Sequence, residues 1–155
     1  MTRRAKKMAT AQLLLVDDEE RFINTTKILL EKKGISTFTA LNGLDAMKIL
    51  DEHRIDVVIL DVKMPGLDGV EVLRRIKQNH PLVEVIMLTG HASVESAVDG
   101  LKLGAFDYLM KPCDISSLLA KVNEAHAKKQ AMEEKIRKAK IEKIIEHPMA
   151  VFDKD

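Results

Sequence analysis

The sequence predicts a doubly wound parallel α/β fold, with five strands alternating with five helices and the last helix extended. Two observations carry this expectation. Strand-like and helix-like stretches alternate along the chain, as they do where helical crossovers connect parallel strands. Three strand candidates, LLLV, VVIL and VIML, are apolar throughout instead of alternating, which fits central strands covered by helices on both faces.

The elements follow in order. The opening 1–8, MTRRAKKM, is short and basic, and 1–10 is expected to be a flexible terminus. Residues 12–16 form the first apolar strand. In 20–33, Phe22, Ile23, Lys27, Leu29 and Leu30 have loose helical spacing, closed by Gly34. ISTFTA, 35–40, alternates with β-branched residues as a strand. GLDAMKILDE, 43–52, sets Leu44, Met47 and Leu50 at helical spacing. DVVIL, 56–60, is the third strand, and 70–78 is a helix on Val70, Leu73 and Ile76. EVIML, 84–88, is the fourth strand, 92–101 a helix ended by Gly104, and DYLM, 107–110, the fifth strand.

Asp114 then caps a final helix that meets no Gly or Pro before His147-Pro148. Running from 114 to 146, it would be about 50 Å long at ~1.5 Å per residue, longer than a domain of this size is wide. Its first half carries Ile115, Leu118, Leu119 and Val122 for packing. Its second half is mostly charged, with a thin stripe of Met132, Ile136, Ile141, Ile144 and Ile145. The folded domain is therefore expected over 11–126, followed by a helical extension and tail over 127–155. That extension is either a dimerisation arm or a solvated helix. Dimerisation is favoured, although Lys129 and Lys143 interrupt a strict heptad.

Composition narrows the class. With 155 residues, 46% hydrophobic and 32% charged, the chain has the makeup of an ordinary globular protein with an aliphatic core, as aromatics are only 3%. A net charge of +1 argues against direct nucleic-acid binding. No apolar run nears the ~18 residues of a membrane span, and the opening residues lack a secretory pattern, so a cytoplasmic protein is expected. A single cysteine, Cys113, rules out an internal disulfide and a cysteine zinc site, and is read as packing.

The chemistry lies where strands end. Ligands of open parallel sheets bind beyond the carboxyl ends of the strands. Asp17 and Asp18 follow the first strand, Asp61 the third, Thr89 the fourth and Lys111 the fifth. Three carboxylates against one lysine leave excess negative charge, which a hard cation such as Mg2+ relieves with oxygen ligands. A metal there can hold a phosphoryl oxygen while a carboxylate attacks phosphorus. Thr89 can then donate a hydrogen bond to the product, and Lys111 can offset its charge.

At these residues the chain resembles the receiver domain of bacterial two-component response regulators. LLLVDDEE resembles its acidic-pair strand and LDVKMPGLDG its phosphoacceptor loop. LTGHAS resembles its fourth-strand switch and DYLMKP its last strand and lysine. The resemblance covers about 11–125 with all four signatures in order. It implies a flavodoxin-like sheet of order 2-1-3-4-5 and a phosphoryl group accepted on Asp61. Asp17, Asp18, Asp61 and the backbone carbonyl of Lys63 would bind Mg2+. Thr89 and Lys111 would hold the phosphoryl group, Tyr108 would be the aromatic switch that follows Thr89, and Pro112 would follow a cis bond. Lys63 and His91 stand where receivers vary side chains that tune phosphoryl lifetime.

A sensor histidine kinase or histidine phosphotransfer protein would be the donor. The surface of the fourth helix, fifth strand and fifth helix would signal to a partner protein or pair in a homodimer. A stand-alone receiver is favoured. The alternative is the amino-terminal receiver of a longer transcription regulator, because LTGHASVESAVDGLKLGAFDYLMKP is similar to receivers of AAA+ enhancer-binding activators. The expectation is a signalling phosphoacceptor and no enzyme in the ordinary sense. A Mg2+-dependent phosphohydrolase of the haloacid-dehalogenase type is the rival, but it needs a second Asp where Lys63 stands.

The remaining polar residues are given plainer roles. Read alone, Asp17 and Asp18 are equally well helix caps; beside Asp61 and Lys111 they are read as site residues. Gly66 and Gly69 are read as turn glycines, and His53, His80, His126 and His147 as surface residues. Glu19 and Glu20 are placed outside the site, at the start of the next helix, where the dipole favours acids.

Overall fold

The computed structural model describes residues 11–62, 68–90 and 94–146, with the side chains of 94–96 excepted. Strand β1 (Gln12–Val16) is followed by α1 (Glu20–Lys32), β2 (Ser36–Ala40), α2 (Gly43–Glu52), β3 (Val57–Leu60) and α3 (Gly69–Asn79). Then come β4 (Glu84–Thr89), α4 (Val94–Lys102), β5 (Asp107–Met110) and α5 (Ile115–Glu146). The strands form one sheet in the order β2-β1-β3-β4-β5, with every neighbouring pair parallel.

Successive side chains of a strand point to opposite faces, and each central strand therefore feeds two cores. Leu14, Val16, Val58, Leu60, Val85 and Met87 pack with Ala46 and Leu50 of α2 and Val72, Leu73 and Ile76 of α3. Leu13, Leu15, Val57, Ile59, Ile86 and Leu88 pack on the other face with Ile23 and Leu30 of α1 and Leu118, Val122 and Ala125 of α5. This double coverage is why these strands read as unbroken apolar runs.

Side-chain caps set the helix starts. Asn42 accepts from the Asp45 N–H at 2.8 Å, Asp68 from Glu71 at 3.0 Å and Asp114 from Ser117 at 3.2 Å, each satisfying an otherwise orphaned donor of a first turn. Gly34 ends α1 with φ +84°, a left-handed conformation that glycine adopts without Cβ strain.

Gly69 departs from the turn role expected of it, since it is the first residue of α3. A Cβ built there would lie 2.3 Å from the Asp61 carbonyl oxygen and 2.6 Å from the Val62 Cα. Glycine is needed because α3 begins against the backbone that carries Asp61.

His126 also departs from expectation. It is buried, with Nε2 3.8 Å from Asp56 Oδ2. His80 is half-buried and shares a 2.9 Å hydrogen bond with Asp51, while His53 is exposed beside the Phe38 ring. The expectations for 1–10, Gly66 and His147-Pro148 fall outside the described residues.

The register positions the site. Val16 pairs with Ala40 and Leu60, Leu60 with Met87, and Thr89 with Met110, so the carboxyl ends of the strands lie along one edge. α5 packs down the face of the sheet and continues past its amino edge.

Candidate functional site

Asp17 and Asp61 leave the sheet together, one residue beyond the paired Val16 and Leu60. Both stay tied to the ladder: the Asp17 N–H donates to Ala40 O at 3.2 Å and the Asp61 N–H to Val16 O at 3.0 Å. Asp17 and Asp61 are buried and Asp18 is exposed, and one oxygen from each of the three lies within 4.8 Å of the others. Among the described residues, Asp61 Oδ1 is a buried oxygen with no hydrogen-bond partner. Leaving such an acceptor unsatisfied costs about 1–3 kcal/mol or more for a charged group. The donor set is all-oxygen and anionic, with one carboxylate open to solvent. It fits a hard divalent cation that keeps several waters.

Thr89 closes β4 and is fully buried. Lys111 follows β5, with its N–H donating to Thr89 O at 2.9 Å, and the Lys111–Pro112 bond is cis. The Lys111 ammonium points to the first strand. Nζ donates to Asp17 Oδ2 at 2.6 Å and to Glu19 Oε1 at 2.9 Å, and lies 4.2 Å from the Phe22 ring centroid.

Burial pushes the Asp17 carboxyl above its ordinary range despite the hydrogen bonds from Lys111 and the Glu19 N–H, and the charge of Asp61 adds to the rise. Burial would depress Lys111, but its hydrogen bonds to Asp17 and Glu19 outweigh that and hold it above the ordinary lysine value.

Tyr108 sits in β5 opposite Met87. It is half-buried against the core layer of Leu14 and Leu60, with its hydroxyl oxygen out of solvent. Cys113 is partly buried, its thiol pushed up by burial and by Asp114, which matches a packing role. Lys63 and His91 lie outside the described residues.

The structure thus gathers Asp17, Asp18, Asp61, Thr89 and Lys111 at one edge. It adds Glu19 and Phe22, which sequence reasoning missed. Glu19 occupies the N-cap position of α1 but makes no side-chain cap there; against the expectation that it lies outside the site, its carboxylate holds Lys111. The available signal was position: Glu19 adjoins the acidic pair, and Phe22 is an apolar residue in the first turn after it.

With this geometry in place, similarity to known proteins is informative. A family model described as the response regulator receiver domain matches residues 13–123. A putative NtrX-like response regulator of Rickettsia bellii is 38% identical over 120 residues, 76% of this chain and 25% of the relative. The DNA-binding transcriptional regulator NtrC of Escherichia coli is 38% identical over 111 residues, 72% of this chain and 24% of its own length. The chain therefore spans about a quarter of the length of these curated relatives. The crystal structure of a response regulator receiver domain protein from Clostridium thermocellum superposes with a TM-score of 0.75 at 40% identity, covering 79% of this chain and 98% of that one. A CheY-like receiver domain protein from Methanospirillum hungatei superposes at 0.77 with 29% identity, covering 80% and 99%.

Proposed function

The chain belongs to the response regulator receiver domain family, and from that premise we propose that it is a Mg2+-dependent phosphorylation switch with Asp61 as phosphoacceptor. The observation that carries this is the buried, unsatisfied Asp61 Oδ1 within reach of Asp17 and Asp18. A carboxylate oxygen of Asp61 attacks phosphorus, the bond from phosphorus to the donor's imidazole nitrogen breaks, and the imidazole leaves with its electron pair. The donor is a sensor histidine kinase or a histidine phosphotransfer protein.

Asp17, Asp18 and Asp61, with the Lys63 carbonyl that the family resemblance adds, would hold Mg2+, which supplies charge neutralisation for the phosphoryl oxygens. Thr89 donates its hydroxyl to the acyl phosphate. Lys111 leaves Glu19 and pairs with the added charge of about −1.5 to −2. Tyr108 follows Thr89. Lys63 and His91 are the positions proposed to tune phosphoryl lifetime.

A two-state change then reaches the surface of α4, β5 and α5. Val98, Leu101 and Met110 expose apolar side chains there, which suits docking of a partner protein or a second copy. Two outputs fit this chemistry, a stand-alone receiver and the amino-terminal receiver of a longer transcription regulator, and the complete gene sequence distinguishes them. Among the described residues no helix is long and apolar enough to cross a membrane, which supports action in the cytoplasm.

Incubation with acetyl phosphate and Mg2+ tests the central assignment. The wild-type chain should acquire an acid-stable, hydroxylamine-labile phosphoryl group, and Asp61→Asn should acquire none. Undiminished labelling of Asp61→Asn overturns it. Multiple turnover on a panel of phosphate esters would favour the phosphohydrolase instead.

A further inference from the structure

The amino edge of the sheet, opposite the phosphoacceptor, carries a second cluster of charges. Asp56 precedes β3 and Glu84 opens β4, and both are buried. Asp56 binds the strands together, accepting from the Gln12 N–H through Oδ2 at 2.9 Å and from the Glu84 N–H through its carbonyl at 3.2 Å. Their counterions are consecutive residues of α5. Lys129, itself buried, donates to Asp56 Oδ1 at 3.0 Å and to Glu133 Oε2 at 2.7 Å, while Lys128 Nζ lies 3.4 Å from Glu84 Oε2. Arg54 stands 3.7 Å from both Asp56 and Glu133, and His126 completes the ring around Asp56.

We propose that Asp56, Glu84, Lys128 and Lys129 form a latch that fixes α5 to the amino edge of the sheet, making the helix beyond it a rigid arm and not a free tether. This does not depend on the phosphoacceptor assignment. A buried carboxylate needs partners with good geometry; the Gln12 amide supplies one from within the sheet, and α5 supplies the buried cation, Lys129. The side chains of Lys129 and Glu133 thus carry the contact about two turns past His126, where sequence patterning would end the domain. From Glu133 to Glu146 the helix projects roughly 20 Å at ~1.5 Å per residue. Only an anchored base lets so polar a segment hold its direction, since isolated helices of this length are marginal in water. Any partner engaging the arm would therefore feel rotations of β3 and β4 directly.

Hydrogen exchange of the full chain, read by mass spectrometry, tests the latch. Lys129→Gln should speed exchange of amides in 130–140 by roughly tenfold or more, beyond any change in β1 to β4. Lys135→Gln, on the exposed part of the same helix, should leave it unchanged. Should Lys129→Gln not fold, Asp56→Asn/Lys129→Met removes both charges together and is expected to give the same acceleration. Exchange in 130–140 that stays at the wild-type rate in the folded variant overturns the latch, as does equal acceleration by Lys135→Gln.

Discussion

Lys111 is held by three groups of the first strand and helix, and each has a distinct part in what the residue can do. Asp17 offers the shortest contact, and the same carboxylate is a proposed Mg2+ ligand, so the ammonium and the metal compete for it. Phe22 adds a cation–π contact without adding charge. Such contacts contribute about 0.5–1 kcal/mol at partly exposed sites. Phe22→Leu should therefore raise Mg2+ affinity roughly two- to fivefold by isothermal titration. Unchanged or weaker binding would contradict the competition. Gly69 supports a second expectation at this scale. Its missing Cβ leaves room for the Asp61 and Val62 backbone, so Gly69→Ala must displace rigid main chain. A loss of about 1–3 kcal/mol in urea unfolding is expected, with slower phosphoryl labelling of Asp61. A variant as stable and as readily labelled as wild type would show that the contact is loose.

At the scale of elements, legibility followed the range of the interaction. The apolar strands were plain because each residue of LLLV or VIML meets a core on one face or the other, whatever its partner. Helix starts at Asn42, Asp68 and Asp114 rest on bonds three residues long and carry local signals. The acidic cluster was legible because every member stands at a strand end, and parallel topology does the rest. α5 was less so. Lys129 reads as a flaw in a heptad, yet its main partner is 73 residues earlier, and nothing local announces a buried salt bridge. His126 reads as a surface residue for the same reason, since its partner Asp56 is also distant in sequence. The Met132–Ile145 stripe also divides on the helix: at about 100° per residue, Met132 and Ile136 follow the buried side of Val122 and Ala125. Ile144 falls at the margin of that side, at the angle of His126, and only Ile141 and Ile145 turn away from it. Lys129→Met alone, by leaving Asp56 with weaker partners, should cost up to about 3–5 kcal/mol, read as a lower urea midpoint. A neutral result would mean that Arg54 and the Gln12 amide suffice.

For the whole molecule, the two ends of the sheet use acids in opposite ways. At the carboxyl edge, burial and like charge leave Asp17 raised, beside an Asp61 whose buried Oδ1 has no hydrogen-bond partner. At the amino edge, burial also works to raise Asp56, but the Gln12 amide and Lys129 outweigh it and hold the carboxyl below the ordinary 3.8. Asp107, paired with Lys121 at 2.8 Å, is likewise held low. A carboxyl whose folded value is depressed contributes stability above its unfolded value, and that contribution is lost as pH falls through the folded one. Unfolding free energy should thus decline as pH drops below about 4. Asp56→Asn, less stable at neutral pH, should show a shallower acid decline, measured as urea midpoints between neutral pH and the acid limb. A decline as steep as wild type would assign the acid sensitivity elsewhere.

The latch also bears on how such modules recombine. A receiver exchanged between regulators at its last sheet-packing turn, near Ala125, would bring Asp56 and Glu84 to a helix chosen for other surroundings. A seam placed after Glu133 would carry the two lysines along with the acids they neutralise. In this protein the interchangeable unit is therefore longer than the sheet and the helical turns packed on it, and chimeras joined at the two seams should differ in solubility and yield before any difference in signalling is measured.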